Sequence, residues 1–548
     1  MRTPLQGEPA ERNHFAFKIF ADPAAALESY YGMQSSPGEQ QGLRRARNFY
    51  LWRKRLILEA LPLLLFTGLG FLVMGYHPGF EDDGVYLTAV KAELNPALFP
   101  HDADFFRLQM QASVFDGAMA HFVRWTGIPV AWAELLWQFA ALFLILWACR
   151  RIAAQVFTQV WEQWSAVAMV AAMFTLPVAG TALNIADQHL HPRNLATALI
   201  LIAVSRILEG RRWQAVPLLI GSFLLHPIMA ALGVSFCGFL ALALLEPAPF
   251  RLRVTQRSVA AVAPLGWIFA PDSPSWREAL ASRTYYSIYR WSWYEWLGAL
   301  APLFLFWLLW RVAEKRGCVA HDPVRSRLSR FALAVFAYGV FQQVVAMALL
   351  APESLVRLTP LQPMRYLQLV YLFMALAAGG LLGRFVLKTK IWRWAIYLLV
   401  FNGSMFLVEW ELIDDGAHLE LPRMVTANPW LQAFDWIRQN TPTDAYFALD
   451  PRYLAAPGEG FHSFRALAER SQLADGIKDT AVVMQVPSLA PVWHEQQVAQ
   501  AGWPRFGLAD FERLKAQFGV DWVLVPYPQP PGLTCRWHNQ ALTVCQVP

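Results

Sequence analysis

Apolar residues along this 548-residue chain follow two different rhythms, and the change comes near residue 410. Before it they form runs long enough to cross the ~30 Å of a bilayer's hydrocarbon. The first, from about Leu56 to Gly75, reads LILEALPLLLFTGLGFLVMG. Further runs lie at about 129–149, 163–180, 194–208, 213–225, 228–246, 258–271, 297–312, 331–351, 364–383 and 392–410. They predict a polytopic α-helical membrane protein with about eleven transmembrane helices, of which 213–225 and 258–271 are the weakest. The first connection, residues 76–128, mixes Leu98, Phe99, Phe105, Phe106, Phe115 and Trp125 with charges, a pattern suited to helices lying in the membrane interface. Another, 272–296, concentrates Trp276, Tyr285, Tyr286, Trp291, Trp293 and Trp296 in an aromatic belt.

From residue 411 the runs shorten to those of a small soluble α/β domain. Asn428-Pro429 caps a predicted helix with Trp430, Leu431, Phe434 and Ile437 on one face, stopped by Asn440-Thr441-Pro442. Strands are predicted at Ala445–Leu449, Ala481–Val486 and Asp521–Val525, with a helix near Ala509–Phe518. Two last strands flank a turn at His538-Asn539, where Cys535 and Cys545 are spaced for cross-strand pairing. An oxidising compartment would make them a disulfide. Cys149, Cys237 and Cys318 lie in or beside spans and read as unpaired.

Composition agrees with this division. The chain is 56% hydrophobic and 16% charged, against roughly a quarter charged in soluble proteins, which excludes a soluble or a disordered chain. Its mean hydropathy of +0.30 is low for a protein that is all membrane, as an appended soluble domain requires. Residues 411–548 hold about 15 acidic and 10 basic side chains, so the excess positive charge belongs to the membrane part. There it recurs in every second connection: Arg150-Arg151, Arg211-Arg212, Arg251 to Arg257, Arg311 to Arg330 and Arg384 to Arg393. With the N-terminal arginines Arg44 to Arg55, these place one side in the cytoplasm, and an odd number of spans then puts the C-terminal domain outside. The domains read as a flexible cytoplasmic tail (1–43), a membrane domain (44–410) and an extracytoplasmic α/β domain (411–548). A cleaved signal peptide is not expected, because the first apolar run starts late and is too long. The charge needs no nucleic-acid partner.

The strongest local candidate for chemistry is His77-Pro78-Gly79-Phe80-Glu81-Asp82-Asp83-Gly84, whose three carboxylates lie directly behind the first span. A carboxylate fixed at the outer end of a membrane helix can act as general base, or hold a divalent metal ion against a diphosphate. The same triplet also suits the solvated start of a loop. A second group is Asp187-Gln188-His189-Leu190-His191-Pro192-Arg193. His189 and His191 suit a metal, although two-residue spacing is weak evidence for one, and Arg193 suits a lipid phosphate. His226 lies between two short apolar runs near the same face. Outer cations are scarce, and Arg283, Arg290 and Arg365 are candidates for an anionic carrier or for salt bridges to outer carboxylates. Arg470 and Lys478-Asp479 are placed to close over the site from the C-terminal domain. Nucleotide-binding glycine patterns, paired-cysteine zinc spacing and a nucleophile-elbow serine do not occur.

A long first span, an acidic pair behind it, a large first external loop, many further spans and an outer C-terminal domain resemble the GT-C glycosyltransferases. Protein O-mannosyltransferases and the aminoarabinose transferases of lipid A are of this kind. The run EDDGVYL…NPALFPHDADFF also looks like that of uncharacterised bacterial membrane proteins of the same fold. The resemblance covers nearly the whole chain but rests on a motif of only a few residues. It implies transfer of a sugar from a polyprenyl-phosphate carrier to an envelope glycan, lipid or protein at the outer face of the bacterial inner membrane. By position it makes Asp82 or Asp83 the base, with Glu81 tuning them. Two other classes fit a chain of this kind, a transporter or flippase and a non-catalytic envelope assembly protein. Against transport, polar residues near mid-span are few, as with Gln342 and Gln343 in 331–351.

Overall fold

The computed structural model describes residues 59–245, 272–315, 323–412 and 416–548. The predicted tail, the arginines from Arg44 to Arg55 and from Arg251 to Arg257, the run 258–271 and Cys318 lie outside them. The chain divides into two units, Met1–Leu65 and Phe66–Pro548. Of the first, residues 59–65 are described, and they are helical. All other described residues belong to the second.

Five helices among the described residues are long and apolar enough to cross a membrane: Val130–Val156, Trp293–Val312, Arg327–Leu350, Pro363–Leu387 and Ile391–Leu412. Three shorter apolar helices are Glu59–Met74, Arg212–Leu225 and Pro227–Ala243. Pro192–Leu208 is helical as well. The run 163–180 is not one helix. Val160–Ala172 ends eight residues short of it, and the chain then turns through a hairpin of β1 (Pro177–Val178) and β2 (Leu183–Asn184). Its burial comes from Leu367–Leu382, whose backbone approaches closely. A Cβ at Gly379 would stand 2.5 Å from the Ser165 carbonyl oxygen. Small residues permit such packing where both partners are apolar and area alone gives little preference.

The stretch after the first apolar run, residues 76–128, is where apolar pattern is taken up by other protein. Its helices, Asp83–Leu94, Asp104–Met110 and Phe115–Thr126, bury Phe105, Phe106 and Phe115, and the turn between the first two buries Phe99. These join Val482, Val483, Met484 and Trp493 of the C-terminal domain in one hydrophobic core, so these four side chains cover protein, while Trp125 of the same stretch stays exposed. Ion pairs cross the same boundary. Arg465 binds Asp102 of the loop and both oxygens of Asp479, at 2.7 and 2.9 Å, and Lys91 binds Glu469 at 2.7 Å. The aromatic belt divides too, with Trp276, Tyr286 and Trp291 buried and Tyr289, Trp293 and Tyr294 exposed.

The C-terminal domain carries a five-stranded sheet of β3 (Tyr446–Ala448), β4 (Ser471–Gln472), β5 (Trp522–Pro526), β6 (Thr534–His538) and β7 (Leu542–Gln546), in the order β4-β3-β5-β7-β6. β3 runs parallel to β4 and β5, while β7 is antiparallel to β5 and β6. Alternation along the strands gives each face its own core. Phe447, Trp522 and Leu524 meet Phe434 and Ile437 of the helix Pro429–Asn440, and Tyr446, Val523 and Val525 meet Phe511 and Leu514 of Leu508–Phe518. The Asn428 side chain caps the former helix by accepting from Trp430 N–H at 2.8 Å. Cys535 and Cys545 face one another across β6 and β7 and form the expected disulfide. The predicted strand Ala481–Val486 is corrected: residues 481–485 belong to the helix Lys478–Gln485 and Val486 caps it, and Val482, Val483 and Met484 supply the shared core. A short run of β-branched residues has no helix signal of its own, and here packing decides.

Candidate functional site

After Met74 the chain turns through Gly79 (φ +77°) and Glu81 (φ +52°) before the helix Asp83–Leu94 begins. The turn separates the three carboxylates. Asp83 points inward, where its Oδ2 accepts the Gly79 N–H at 2.7 Å, and it is buried beside Glu134. Burial in that setting pushes its carboxyl above the ordinary range. Asp82 points outward and is only half-buried. Its Oδ1 accepts from Lys478 Nζ at 3.2 Å, and its Oδ2 lies 3.5 Å from His191 Nε2. Burial opposes ionisation, but the Lys478 ammonium, then His191 and Arg193, hold the Asp82 carboxyl well below its usual value. Glu81 binds the same lysine.

His191 has a defined tautomer. Its Nδ1 accepts the Arg193 N–H at 2.9 Å, which leaves the proton on Nε2, toward Asp82. Burial, reinforced by the Arg193 charge, lowers its pKa to about 4, so the ring is a neutral donor at physiological pH. Tyr86 packs edge-on against it, with ring centroids 4.6 Å apart, and His226 stacks on it at 5.9 Å.

Asp82 and Glu81 stand between two cavities. One, of about 420 Å³, is lined by His191, His226, Arg283, Arg365 and Lys478, with Leu225, Ile228 and Leu361 adding apolar surface. The Arg365 Nε is buried there without a hydrogen-bond partner. The other, of about 430 Å³, is lined by Asn184, Asp187, His189, Arg193 and Glu409. In it Arg193 Nε donates to Asp187 at 3.1 Å and a second guanidinium nitrogen binds the other carboxylate oxygen, while Nη1 stays buried and unpartnered. Against desolvation, the Arg193 charge and the two histidines bring the Asp187 pKa to about 2.

Of the residues singled out in the sequence, Glu81, Asp82, His191, Arg193, His226, Arg283, Arg365 and Lys478 meet around these cavities. Asp83 lines neither. Arg290 is exposed and apart from them. Arg470 binds carbonyls at Arg438 and Thr441 inside its own domain, and Asp479 is taken by Arg465. His189 and His191 have ring centroids 5.9 Å apart and recruit no third ligand; among the described residues the metal-sized group is His77, Glu420 and His462. Sequence reading passed over Glu134, Glu420 and His462, and gave no role to Tyr86 or to His77, which opens the acidic run. No local signal marks them, because their partners come from distant parts of the chain.

The segment 428–482 matches a family described as a domain of unknown function, DUF6798. It contains His462, Arg465 and Lys478. No curated protein matches the chain.

Proposed function

We propose that the protein is a multi-pass GT-C-type glycosyltransferase that moves a sugar from a polyprenyl-phosphate carrier to a hydroxyl of an envelope glycan, lipid or protein. The site faces outward from a bacterial inner membrane, with about eleven spans, the N-terminus in the cytoplasm and the C-terminal domain outside. Five long apolar helices and three shorter ones support a multi-pass chain. The observation that carries the chemistry is the position of Asp82, which with Glu81 forms the common wall of two cavities and alone of the two also faces His191, with the cations concentrated on one side.

The carrier phosphate binds on the side of Arg365, Lys478 and His191, and the acceptor enters from the side of Asn184 and Glu409. The acceptor oxygen bonds to the anomeric carbon as the bond from that carbon to the phosphate oxygen breaks. Asp82 takes the acceptor proton, and the carrier phosphate leaves with the electron pair toward the cations. Lys478 links the two events. Without donor it holds Asp82 ionised but weakly basic; a phosphate competes for its ammonium, and as that contact loosens the carboxylate becomes a better base.

The test is release of polyprenyl phosphate by protein in proteoliposomes supplied with polyprenyl-phosphate-linked sugars and envelope extract. Asp82→Asn should lower turnover by about 10²–10⁴-fold while inserting normally. Asp83→Asn should act through stability, since that side chain reaches neither cavity. Wild-type turnover by Asp82→Asn would remove the catalytic assignment and leave the transporter reading ahead.

A further inference from the structure

Outside the cavities, three distant segments converge behind the acidic turn. Tyr76 pairs with Leu419, and Phe80 pairs with His462, as isolated β-bridges. The backbone bonds Tyr76 N to His418 O (3.1 Å), Glu420 N to Tyr76 O (2.9 Å) and Ser463 N to Gly79 O (2.8 Å) fix the same register. Each segment contributes one side chain to a single point. His77 comes from the first loop, Glu420 from the stretch after the helix Ile391–Leu412, and His462 from the C-terminal domain.

The ligand atoms of these three lie within 4.8 Å of one another. His77 Nδ1 is 3.5 Å from Glu420 Oε1, and His462 Nε2 is 2.9 Å from Glu420 Oε2. Ligands about 2.0–2.1 Å from a tetrahedral zinc ion stand roughly 3.4 Å apart, so a small closure would bring all three onto one ion. His462 is oriented as metal-bound histidines are: its Nδ1 lies 2.9 Å from the Glu459 carbonyl oxygen, an N–H donation that turns Nε2 toward the centre. The second observation is His77 itself. Its side chain is 0% exposed, yet neither ring nitrogen makes a hydrogen bond. Leaving a buried polar atom unsatisfied costs about 1–3 kcal/mol, and a pair of such atoms on one ring calls for a partner.

We propose that His77, Glu420 and His462 bind a divalent transition-metal ion of the zinc type. Two imidazoles and one carboxylate suit zinc and its neighbours and do not suit magnesium or calcium, which take oxygen ligands. The fourth position is open to water. The ion fastens the first loop, the 418–420 stretch and the C-terminal domain together, and through Phe80 it fixes the turn that presents Asp82. This site is separate from the cavities and does not depend on the transferase reading.

Full-length protein purified without a histidine tag, stripped with 1,10-phenanthroline and titrated with Co²⁺ and then Zn²⁺, tests it. The expected result is about one ion per chain, visible-band intensity of a four-coordinate Co²⁺ site, and displacement by Zn²⁺. His462→Gln and Glu420→Gln should weaken binding at least tenfold. If a variant fails to fold, the wild type decides alone: stripping should lower the tryptophan-monitored melting temperature by several degrees, and Zn²⁺ should restore it. Absence of Co²⁺ binding by the wild type, or binding that survives in both variants, would overturn the proposal and leave a histidine–carboxylate hydrogen-bond cluster.

Discussion

The two cavities beside Asp82 are nearly equal in volume and share Glu81, Asp82 and Ala182, but they differ in how their charges are satisfied. On the Asp187 side the one arginine is already paired, with two guanidinium nitrogens on one buried carboxylate. On the Arg365 side the cations have capacity to spare, since Arg365 Nε has no partner and Lys478 is divided between two half-buried carboxylates. An anion therefore gains more on the Arg365 side. A neutral hydroxyl loses less on the Asp187 side, where carboxylates and amides are ready to accept or donate. The difference gives the site a direction, and it shows why charge counted along a sequence does not locate an anion site. Arg193 and Arg365 look alike in the sequence, yet Arg193 is held by a buried carboxylate, which leaves it only Nη1, while Arg365 has no carboxylate partner among the described residues.

Breaking the paired side should have the largest effect, and that effect is on folding. Arg193→Ala leaves Asp187 as an uncompensated buried charge, so stability should fall by about 3–5 kcal/mol in a thermal melt of the detergent-solubilised protein. If Arg193 were instead a free phosphate ligand, stability would hardly change. Next comes the cation side, where Arg365→Ala and Lys478→Met should raise the KM for the donor about 10–100-fold, the value of a lost charge-assisted hydrogen bond, with melting altered much less than by Arg193→Ala. The reverse pattern would exchange the roles of the two cavities. An effect of similar size, confined to acid pH, marks the Asp187 side. The folded Asp187 carboxyl has its pKa depressed to about 2, below an unfolded value of about 3.9. Its contribution, roughly 2–3 kcal/mol, is therefore complete above the unfolded value and is lost as pH falls from about 4 toward 2. Melting temperature against pH should show that loss in the wild type and not in Asp187→Asn.

The site was partly legible because its members sit at positions with a local reason to be noticed. Carboxylates directly after an apolar run stand out, as do arginines on the side where positive charge is scarce. What could not be read was which neighbouring carboxylate faces the cavity. Asp82 and Asp83 are equivalent in pattern, and the turn through Gly79 and Glu81 separates them by giving Asp83 the Gly79 N–H. Lys478 is a similar case: 396 positions separate it from Asp82, and only the packing of Lys478–Gln485 against the first loop brings them within 3.2 Å.

By itself the sequence determined the helical character of most described apolar runs, the capped helix after Asn428 and the cysteine pair of the last hairpin. These follow from length, periodicity and short-range chemistry, which neighbours along the chain suffice to express. Tertiary structure alone decided that Phe99, Phe105, Phe106 and Phe115 of the first loop cover protein, that residues 481–485 are helical, and that His77, Glu420 and His462 share a point. An apolar side chain is attracted by any surface that excludes water, and a histidine by any suitable partner. Which surface and which partner they meet is settled only when segments hundreds of residues apart pack together.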